Sequence, residues 1–334
     1  MVIGCGSSSL NRVGQLLTSV LGAELPEVRR PCESGTSPPS LPPVVLRTPL
    51  VHPQSPRDVP MIRPTHLLRS TLALVALAGA AAAPVGAQGL DLPSLFLEEL
   101  TWTEVRAAID SGTTTIIIPT AGTEQNGPHM VLGKHKFIIN HASAMIAREL
   151  GQTLVAPVVT YVPEGDVNNP TRGHMSKAGT ITFPEEFYMK LLEYAARSLA
   201  VHGFTDIVMI GDSGGNQNGM EQVAEMLNEE WSSEDAQVHF VGDYYGNNGF
   251  REWLIEQGET PETIGGHAGI SDTSQLLAVD PRHIRTDKLA PRGGGPDSGV
   301  SGDPTRASVE RGVRGIQFKV DAALNQIREL MGSR

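Results

Sequence analysis

Three segments of this 334-residue chain concentrate side chains that can transfer protons or bind cations. The first, EQNGPHMVLGKH, runs from Glu124 to His135; the second, GDSGGN, ends at Asn216; the third, HAGISDTS, begins at His267. Carboxylates and imidazoles can act as general acids and bases or as metal ligands. The glycines beside them permit the sharp turns that bring such groups together. These segments therefore predict one cleft lined by acids and imidazoles.

The second segment also supports a different chemistry. Residues 211–215 (GDSGG) fit the Gly-x-Ser-x-Gly turn that exposes a nucleophilic serine between a strand and a helix. Asp243 and His267 follow Ser213 in the chain order of an α/β-hydrolase triad. A serine hydrolase with Ser213 as its nucleophile is therefore an alternative hypothesis.

The elements that must position these segments alternate between strand and helix. Short β-branched or apolar runs predict buried strands, and longer amphipathic runs predict helices. The predicted strands are 113–119, 153–159, 206–211 and 237–242, and the predicted helices are 136–150, 184–202, 219–231 and 305–330. This order is typical of a single α/β domain in which a mostly parallel sheet carries helices on both faces. Residues 244–305 are rich in Gly and Pro, and we expect them to form loops.

A parallel sheet explains the position of the polar segments. In such folds, ligands bind beyond the carboxyl ends of the strands. The segment that begins at Glu124 follows the first predicted strand, and Asp212 follows the strand that ends at Gly211. The loop after the second strand adds His174. We therefore expect these residues to face one cleft.

The first 87 residues differ in composition from the rest. Residues 1–60 are rich in Pro and Ser without a helical or strand period, and we expect a disordered, non-native upstream extension. From Met61, arginines, an apolar run and small residues follow in the order of a signal peptide, which we assign to residues 61–87. Residues 88–334 would then form the hydrolase domain, exported to the periplasm or the cell exterior.

Composition excludes several classes of function. The formal net charge of −11 argues against binding to nucleic-acid phosphates or to an anionic membrane. Both cysteines, Cys5 and Cys32, precede the domain, so neither a cysteine nucleophile nor a thiolate zinc site is expected in it. The expected partner is a small-molecule substrate, with no membrane association of the mature form.

Taken together, the polar segments resemble motifs of the creatininase (creatinine amidohydrolase) family. The first resembles its Glu-x-His-Gly-Pro-His motif with the aspartate that follows, and GDSGGN resembles its Asn-Gly-His-Gly-Gly-Asn motif. HAGISDTS resembles His-Ala-Gly-x-x-Glu-Thr-Ser. Residues 173–181 and 299–304 are similar to two further family segments. The resemblance implies a creatininase-like α/β fold, a homo-oligomer, and a hydrolase of a cyclic amide or other non-peptide C–N bond that uses two divalent ions, usually Zn²⁺ or Mn²⁺.

Three family ligand positions carry other residues here. Asn126 and Ser213 stand where the family has histidines, and His135 stands where it has a bridging aspartate. The ligand set that survives is Glu124, His135 and Asp212. Three protein ligands and water suit a single zinc ion. We therefore expect one divalent cation rather than two, with zinc favoured over manganese.

The resemblance also implies roles for the other motif residues. His267 is the expected proton donor to the leaving nitrogen, and Glu124 is expected to take part in catalysis as well as in metal binding. The expected substrate contacts are His129, Asn126, His174, Ser213, Asn216 and Asp272. With three ligands altered, an exported small-molecule-binding protein without catalysis is a further alternative.

Overall fold

The structure is a computed structural model that describes residues 92–332. The predicted extension (1–60) and signal peptide (61–87) lie outside the described residues, as do residues 88–91 and 333–334. Those predictions, and the homo-oligomer, stay predictions. The described residues all belong to one compact unit of the chain.

A four-stranded parallel sheet forms the centre of the fold. Its strands are β1 (Thr115–Thr120), β2 (Thr153–Val155), β5 (Asp206–Gly211) and β6 (Gln237–Phe240), in the spatial order β2-β1-β5-β6. The two central strands, β1 and β5, pair along their whole length and are buried at every residue. A small antiparallel hairpin of β3 (Gly165–Asp166) and β4 (Arg172–Gly173) lies apart from this sheet.

Helices cover both faces of the sheet, which confirms the predicted fold class. The helices are α1 (Trp102–Asp110), α2 (Lys134–Leu150), α3 (Glu185–His202), α4 (Gln217–Glu230), α5 (Phe250–Glu256), α6 (Pro261–Ile264), α7 (Ile270–Val279) and α8 (Val309–Gly332). Successive strand side chains point to opposite faces. Ile116 and Ile118 accordingly pack with α3 and α4, whereas Ile117 packs with α2 and α8.

Local sequence explains where the helices begin and end. Thr101 and Glu104 form a reciprocal capping box at the start of α1. Pro184 precedes the first residue of α3, and Gly203 ends this helix in the left-handed conformation, with φ of 109°. None of the helices in the described part of the chain is both long and apolar enough to cross a membrane.

The expectation of loops in residues 244–305 is wrong in part. This stretch contains α5, α6 and α7. Its glycines and prolines lie mostly in the turns between these short helices, such as Gly249 before α5 and Pro261 at the first turn of α6. Helices of four to ten residues contain too few turns to show a clear period in the sequence.

A buried ion pair joins this helical region to α8. The Glu259 carboxylate accepts two hydrogen bonds from Arg306, of 2.6 and 2.8 Å, and lies 2.7 Å from Nη2 of Arg311. The side chain of Glu259 is 1% exposed. The hydrogen bonds from Arg306, with those from Arg311, lower the pKa of Glu259 to about 2.

We predict that Glu259→Gln lowers the free energy of unfolding by roughly 2 kcal/mol near pH 7, because it removes the charge from a buried, hydrogen-bonded pair. The folded-state pKa lies below the value of an unfolded chain. The stabilisation is therefore complete above the unfolded pKa and disappears as the pH falls through about 2. Urea unfolding of both proteins across the acid range measures this difference. Glu256→Gln, at an exposed position of α5, is the control. A difference that is equally small for both variants would contradict the prediction.

Candidate active site

A cavity of about 800 Å³ opens at the carboxyl ends of the central strands. Glu124 lies four residues beyond the end of β1, and Asp212 follows β5 directly. The first turn of α2, the turn after β4, the start of α7 and the middle of α8 also reach the cavity. The lining side chains that carry charge or can bind a cation are Glu124, Lys134, His135, Glu164, His174, Asp212, Arg251, His267, Asp272 and Lys319.

Glu124 lies at the centre of the polar groups. Its side chain is 2% exposed, and four nitrogen-bearing groups surround its two oxygens. Nε2 of His135 is 2.8 Å from Oε1, and Nζ of Lys134 is 3.4 Å from the same atom. Nε2 of His174 is 3.1 Å from Oε2, and Nδ1 of His267 is 3.6 Å from Oε1.

His135 connects Glu124 to a second buried carboxylate. Its Nδ1 is 2.8 Å from Oδ2 of Asp212, and its Nε2 contacts Glu124. Because each ring nitrogen faces a carboxylate oxygen, both donate hydrogen bonds. The other oxygen of Asp212 accepts a hydrogen bond from Nζ of Lys319, which α8 places beside it. The structure thus brings Glu124, His135 and Asp212 together, but in this arrangement the His135 ring offers no lone pair to a cation.

Lys134 joins Glu124 to Asp272. Its Nζ lies 2.6 Å from Oδ2 of Asp272, and its side chain is 1% exposed. The same Asp272 oxygen accepts a hydrogen bond of 2.7 Å from the backbone N–H of Ala268. Ala268 has a φ of 54°, which non-glycine residues rarely adopt. The Asp272 carboxylate therefore helps to hold the strained backbone beside His267.

Opposite charges outweigh the cost of burial in this cluster. Burial would raise the pKa of Glu124, but the charges of Lys134 and His135 hold it below its ordinary value. Burial and Lys134 oppose the charged form of His135, yet hydrogen bonds to Asp212 and Glu124 raise its pKa to about 9. For Lys134, the carboxylates of Asp272 and Glu124 overcome burial and raise the pKa to about 12. At neutral pH these groups are ionised.

Glu164 is a further buried acid beside this cluster. Its carboxyl group lies in the cavity wall, and Gly122 leaves room for it, because a Cβ there would lie 1.8 Å from Oε1 of Glu164. Burial and the charge of Glu124 raise the pKa of Glu164 to about 8. Two neighbouring carboxylates do not both ionise readily at short range.

Glu124, His174 and His267 are the residues that fit a divalent cation. One ligand atom from each lies within 4.8 Å of the other two. Two atoms bound to the same zinc ion at its usual bond lengths are separated by about 3.3 Å. Nε2 of His174 lies 3.1 Å from Oε2 of Glu124, and Nδ1 of His267 lies 3.6 Å from Oε1, both close to this value. This set shares only Glu124 with the ligand set predicted from the sequence.

Gln125 orients both imidazoles. Its backbone carbonyl accepts a hydrogen bond of 2.8 Å from Nε2 of His267, which leaves the lone pair of Nδ1 directed at Glu124. Its side-chain amide lies 3.2 Å from Nδ1 of His174 and donates to the carbonyl of Gly299. With the amide assigned this way, His174 presents Nε2–H to Glu124. A cation that takes His174 as a ligand must displace this proton.

Burial lowers the pKa of His267 to about 4, so its ring is neutral at physiological pH. A neutral ring whose Nε2–H is bound to a carbonyl presents a lone pair, not a proton, to the cavity. This arrangement suits a metal ligand or a base. It differs from the proton-donor role that the sequence predicts for His267.

The remaining predicted substrate contacts divide into two groups. Ser213 and Asp272 line the cavity, as His174 does. Asn126, His129 and Asn216 are fully buried and do not line it. Their side chains hold the loops in place instead. Asn126 donates to the backbone carbonyls of Glu124 and Val131, Nε2 of His129 lies 3.0 Å from Oγ1 of Thr273, and Asn216 donates to Oγ1 of Thr120.

The serine triad does not assemble in the structure. Ser213 has ordinary extended backbone angles, with φ of −123° and ψ of 147°, rather than the strained turn of a nucleophile elbow. His267 contacts Gln125 and Glu124. Asp243 accepts a hydrogen bond from Asn247. The Gly-x-Ser-x-Gly match is therefore a coincidence of a glycine-rich loop.

Three charged residues of the cavity, Lys134, Lys319 and Glu164, were not predicted from the sequence. Lys319 could have been identified, because it falls on the apolar stripe of α8 between Ile316 and Val320, where a lysine needs a buried partner. Lys134 adjoins His135 inside the first motif. Glu164 carried no signal beyond its place in a loop after β2.

Comparisons with known proteins agree with this architecture. A sequence profile of the family described as "Creatininase: Creatinine amidohydrolase" matches residues 98–327. The mycofactocin precursor peptide peptidase of Mycobacterium tuberculosis is 27% identical over 252 residues, a match that covers 67% of this chain and 88% of the relative. The creatinine amidohydrolase of Pseudomonas putida is 26% identical over 212 residues, covering 59% of this chain and 76% of the relative.

Solved structures show the same fold. A structure titled "Creatininase Mn" superposes with a TM-score of 0.60 at 22% sequence identity, covering 71% of this chain and 98% of its own. A mutant creatininase described as "Zn-Zn type" superposes with a TM-score of 0.58, at the same identity and the same coverage.

We predict that Lys134→Met lowers the free energy of unfolding by about 3 kcal/mol, because it leaves the buried carboxylate of Glu124 and the partly buried one of Asp272 without their shared cation. Lys136→Met, two residues away on the exposed face of α2, is the matched control and should change stability by less than about 0.5 kcal/mol. Urea unfolding followed by circular dichroism at pH 7 measures both. Equal stability of the two variants would show that Lys134 does not neutralise these acids.

Proposed function

This chain belongs to the creatininase family, and from that membership and its site we propose that it hydrolyses an amide-type C–N bond with one divalent cation bound by Glu124, His174 and His267. The convergence of these three side chains at the cavity wall is the observation that carries the proposal. The relatives named above include a peptidase and an amidohydrolase, and both names denote cleavage of such bonds.

The proposed substrate is a small cyclic or other non-peptide amide. A cavity of about 800 Å³ falls in the range of roughly 300–1,000 Å³ that holds small molecules. Its lining is dominated by charged, polar and glycine residues; among the described residues, the apolar or aromatic ones that line it are Pro163, Tyr245 and Phe250. A compact polar molecule could be hydrogen-bonded on several sides there.

A bound divalent cation would polarise the amide carbonyl and lower the pKa of a water molecule. Residues around the proposed site favour binding of such a cation. Lys134 and His135 keep Glu124 ionised, as a ligand must be. Gln125 fixes the His267 ring so that Nδ1 faces Glu124. The ammonium group of Lys134, 3.4 Å from Oε1 of Glu124, adds positive charge to the cavity wall, which would favour a substrate oxygen that gains negative charge.

We predict that chelation abolishes hydrolysis by the purified chain and that zinc or manganese restores it. His267→Ala and His174→Ala should each lower metal affinity at least about 10- to 100-fold, since each removes a ligand. His141→Ala, on the exposed face of α2, should change neither metal content nor activity. Metal content by inductively coupled plasma mass spectrometry, with amine release from cyclic amides, linear amides and short peptides, measures these effects.

Ser213→Ala separates this proposal from the serine hydrolase. If a cation activates water, the variant should keep most of its activity and its metal. Activity that resists chelation and disappears in Ser213→Ala would contradict the proposal. Cleavage of peptides but of no small amide would be consistent with the proposed metal site but would contradict the proposed substrate class. A metal-free chain without hydrolytic activity would favour a binding protein.

A further inference from the structure

Six buried or partly buried groups alternate in sign along one continuous chain of contacts. In order they are Lys319, Asp212, His135, Glu124, Lys134 and Asp272. Their side chains come from the loop after β1, the start of α2, the residue after β5, the start of α7 and the middle of α8. Contacts between neighbours measure 2.8 Å on either side of His135, 3.4 Å from Glu124 to Lys134, and 2.6 Å from Lys134 to Asp272.

Two of the three carboxylates in this chain of contacts, Asp212 and Asp272, are paired with lysines. Both oxygens of Asp212 are used, one by Lys319 and the other by His135. Asp272 binds Lys134 and a backbone N–H through the same oxygen. At the Asp212 end of this chain of contacts, a second divalent cation would need a carboxylate that is already paired with charges belonging to the protein. Glu124, by contrast, also faces the imidazoles of His174 and His267.

A lysine differs from a metal ion as a source of positive charge. It is covalently attached, so its charge is present at any metal concentration. Lys319 is also held by its surroundings, because its Nζ lies 5.0 Å from the centre of the Tyr244 ring and its neighbours on α8 are core residues. Displacing it into solvent would leave Asp212 buried with His135 as its remaining charged partner, which is unfavourable.

We propose that Lys319, together with Lys134, supplies from within the protein the positive charge that a second divalent cation would bring, so that the site accepts one cation and not two. The proposal rests on the function proposed above for the first cation. It concerns a different part of the cluster, the Asp212 end. The solved relative described as "Zn-Zn type" shows that this fold can take two zinc ions.

The test is the number of metal ions per folded chain after equilibration with excess zinc or manganese and removal of free metal. Wild type should hold one. Lys319→Gln should hold about one more, because Asp212 then lacks its ammonium partner and can serve as a carboxylate ligand, and a cation bound there can displace the Nδ1 proton of His135. The glutamine amide can still donate a hydrogen bond to Asp212. Lys319→Arg keeps the charge and should stay at the wild-type count. Native mass spectrometry reports the count without any activity measurement.

Folding is checked by circular dichroism, and Lys319→Met provides a second neutral variant if the glutamine variant does not fold. A wild-type count of two overturns the proposal, and so does a folded neutral variant that binds no more metal than wild type. If wild type holds none and the neutral variant holds one, the proposed single-cation function fails while the role of Lys319 stands. Failure of the two neutral variants to fold, with Lys319→Arg folded, would show that the lysine charge is needed for structure alone and would overturn the proposal.

Discussion

The fold of this protein is organised around the need to neutralise Glu124. A carboxylate that is 2% exposed cannot remain ionised unless positive charge or hydrogen-bond donors surround it. Here Lys134, His135, His174 and His267 all approach it, and they come from three separate parts of the chain. The helices and turns that carry these residues must therefore pack in one particular arrangement. The charge of a single acid thus constrains the geometry of the whole cavity.

The parallel sheet satisfies this constraint with little strain. β1 and β5 end side by side, with Thr120 opposite Gly211, so the loops that follow them begin at the same edge. Glu124 and Asp212 are thereby placed on opposite sides of His135, although 88 positions separate them in the sequence. At the site itself, backbone strain lies in the turn that presents His267, where Ala268 adopts a positive φ and Asp272 accepts a hydrogen bond from its N–H.

The sheet and its four large flanking helices could be predicted from the sequence, because apolar runs and amphipathic periods indicate which residues are buried. The sequence also predicted that Glu124, His135 and Asp212 would meet. What it could not predict was the partner of each group. The motif alone predicts that His135 is a metal ligand, but both of its ring nitrogens are hydrogen-bonded to carboxylates. The second partner of Asp212 is Lys319, which lies 184 residues from His135 on α8 and appears in no motif. The three short helices between 244 and 305 were missed for a different reason, since their signal is too brief to detect.

The internal lysines also affect how the stability and the chemistry of the site are related. In a site held together by metal ions, loss of the metal exposes several buried carboxylates to one another, so binding and folding are strongly linked. Here Asp212 and Asp272 keep their ammonium partners whether or not a cation is bound. Only the group formed by Glu124, His174 and His267 would respond to the cation, and Glu124 retains Lys134 and His135 even then. The protein can therefore keep its active-site geometry without metal, and cation binding can be governed by the chemistry of three ligands rather than by the folding of the domain.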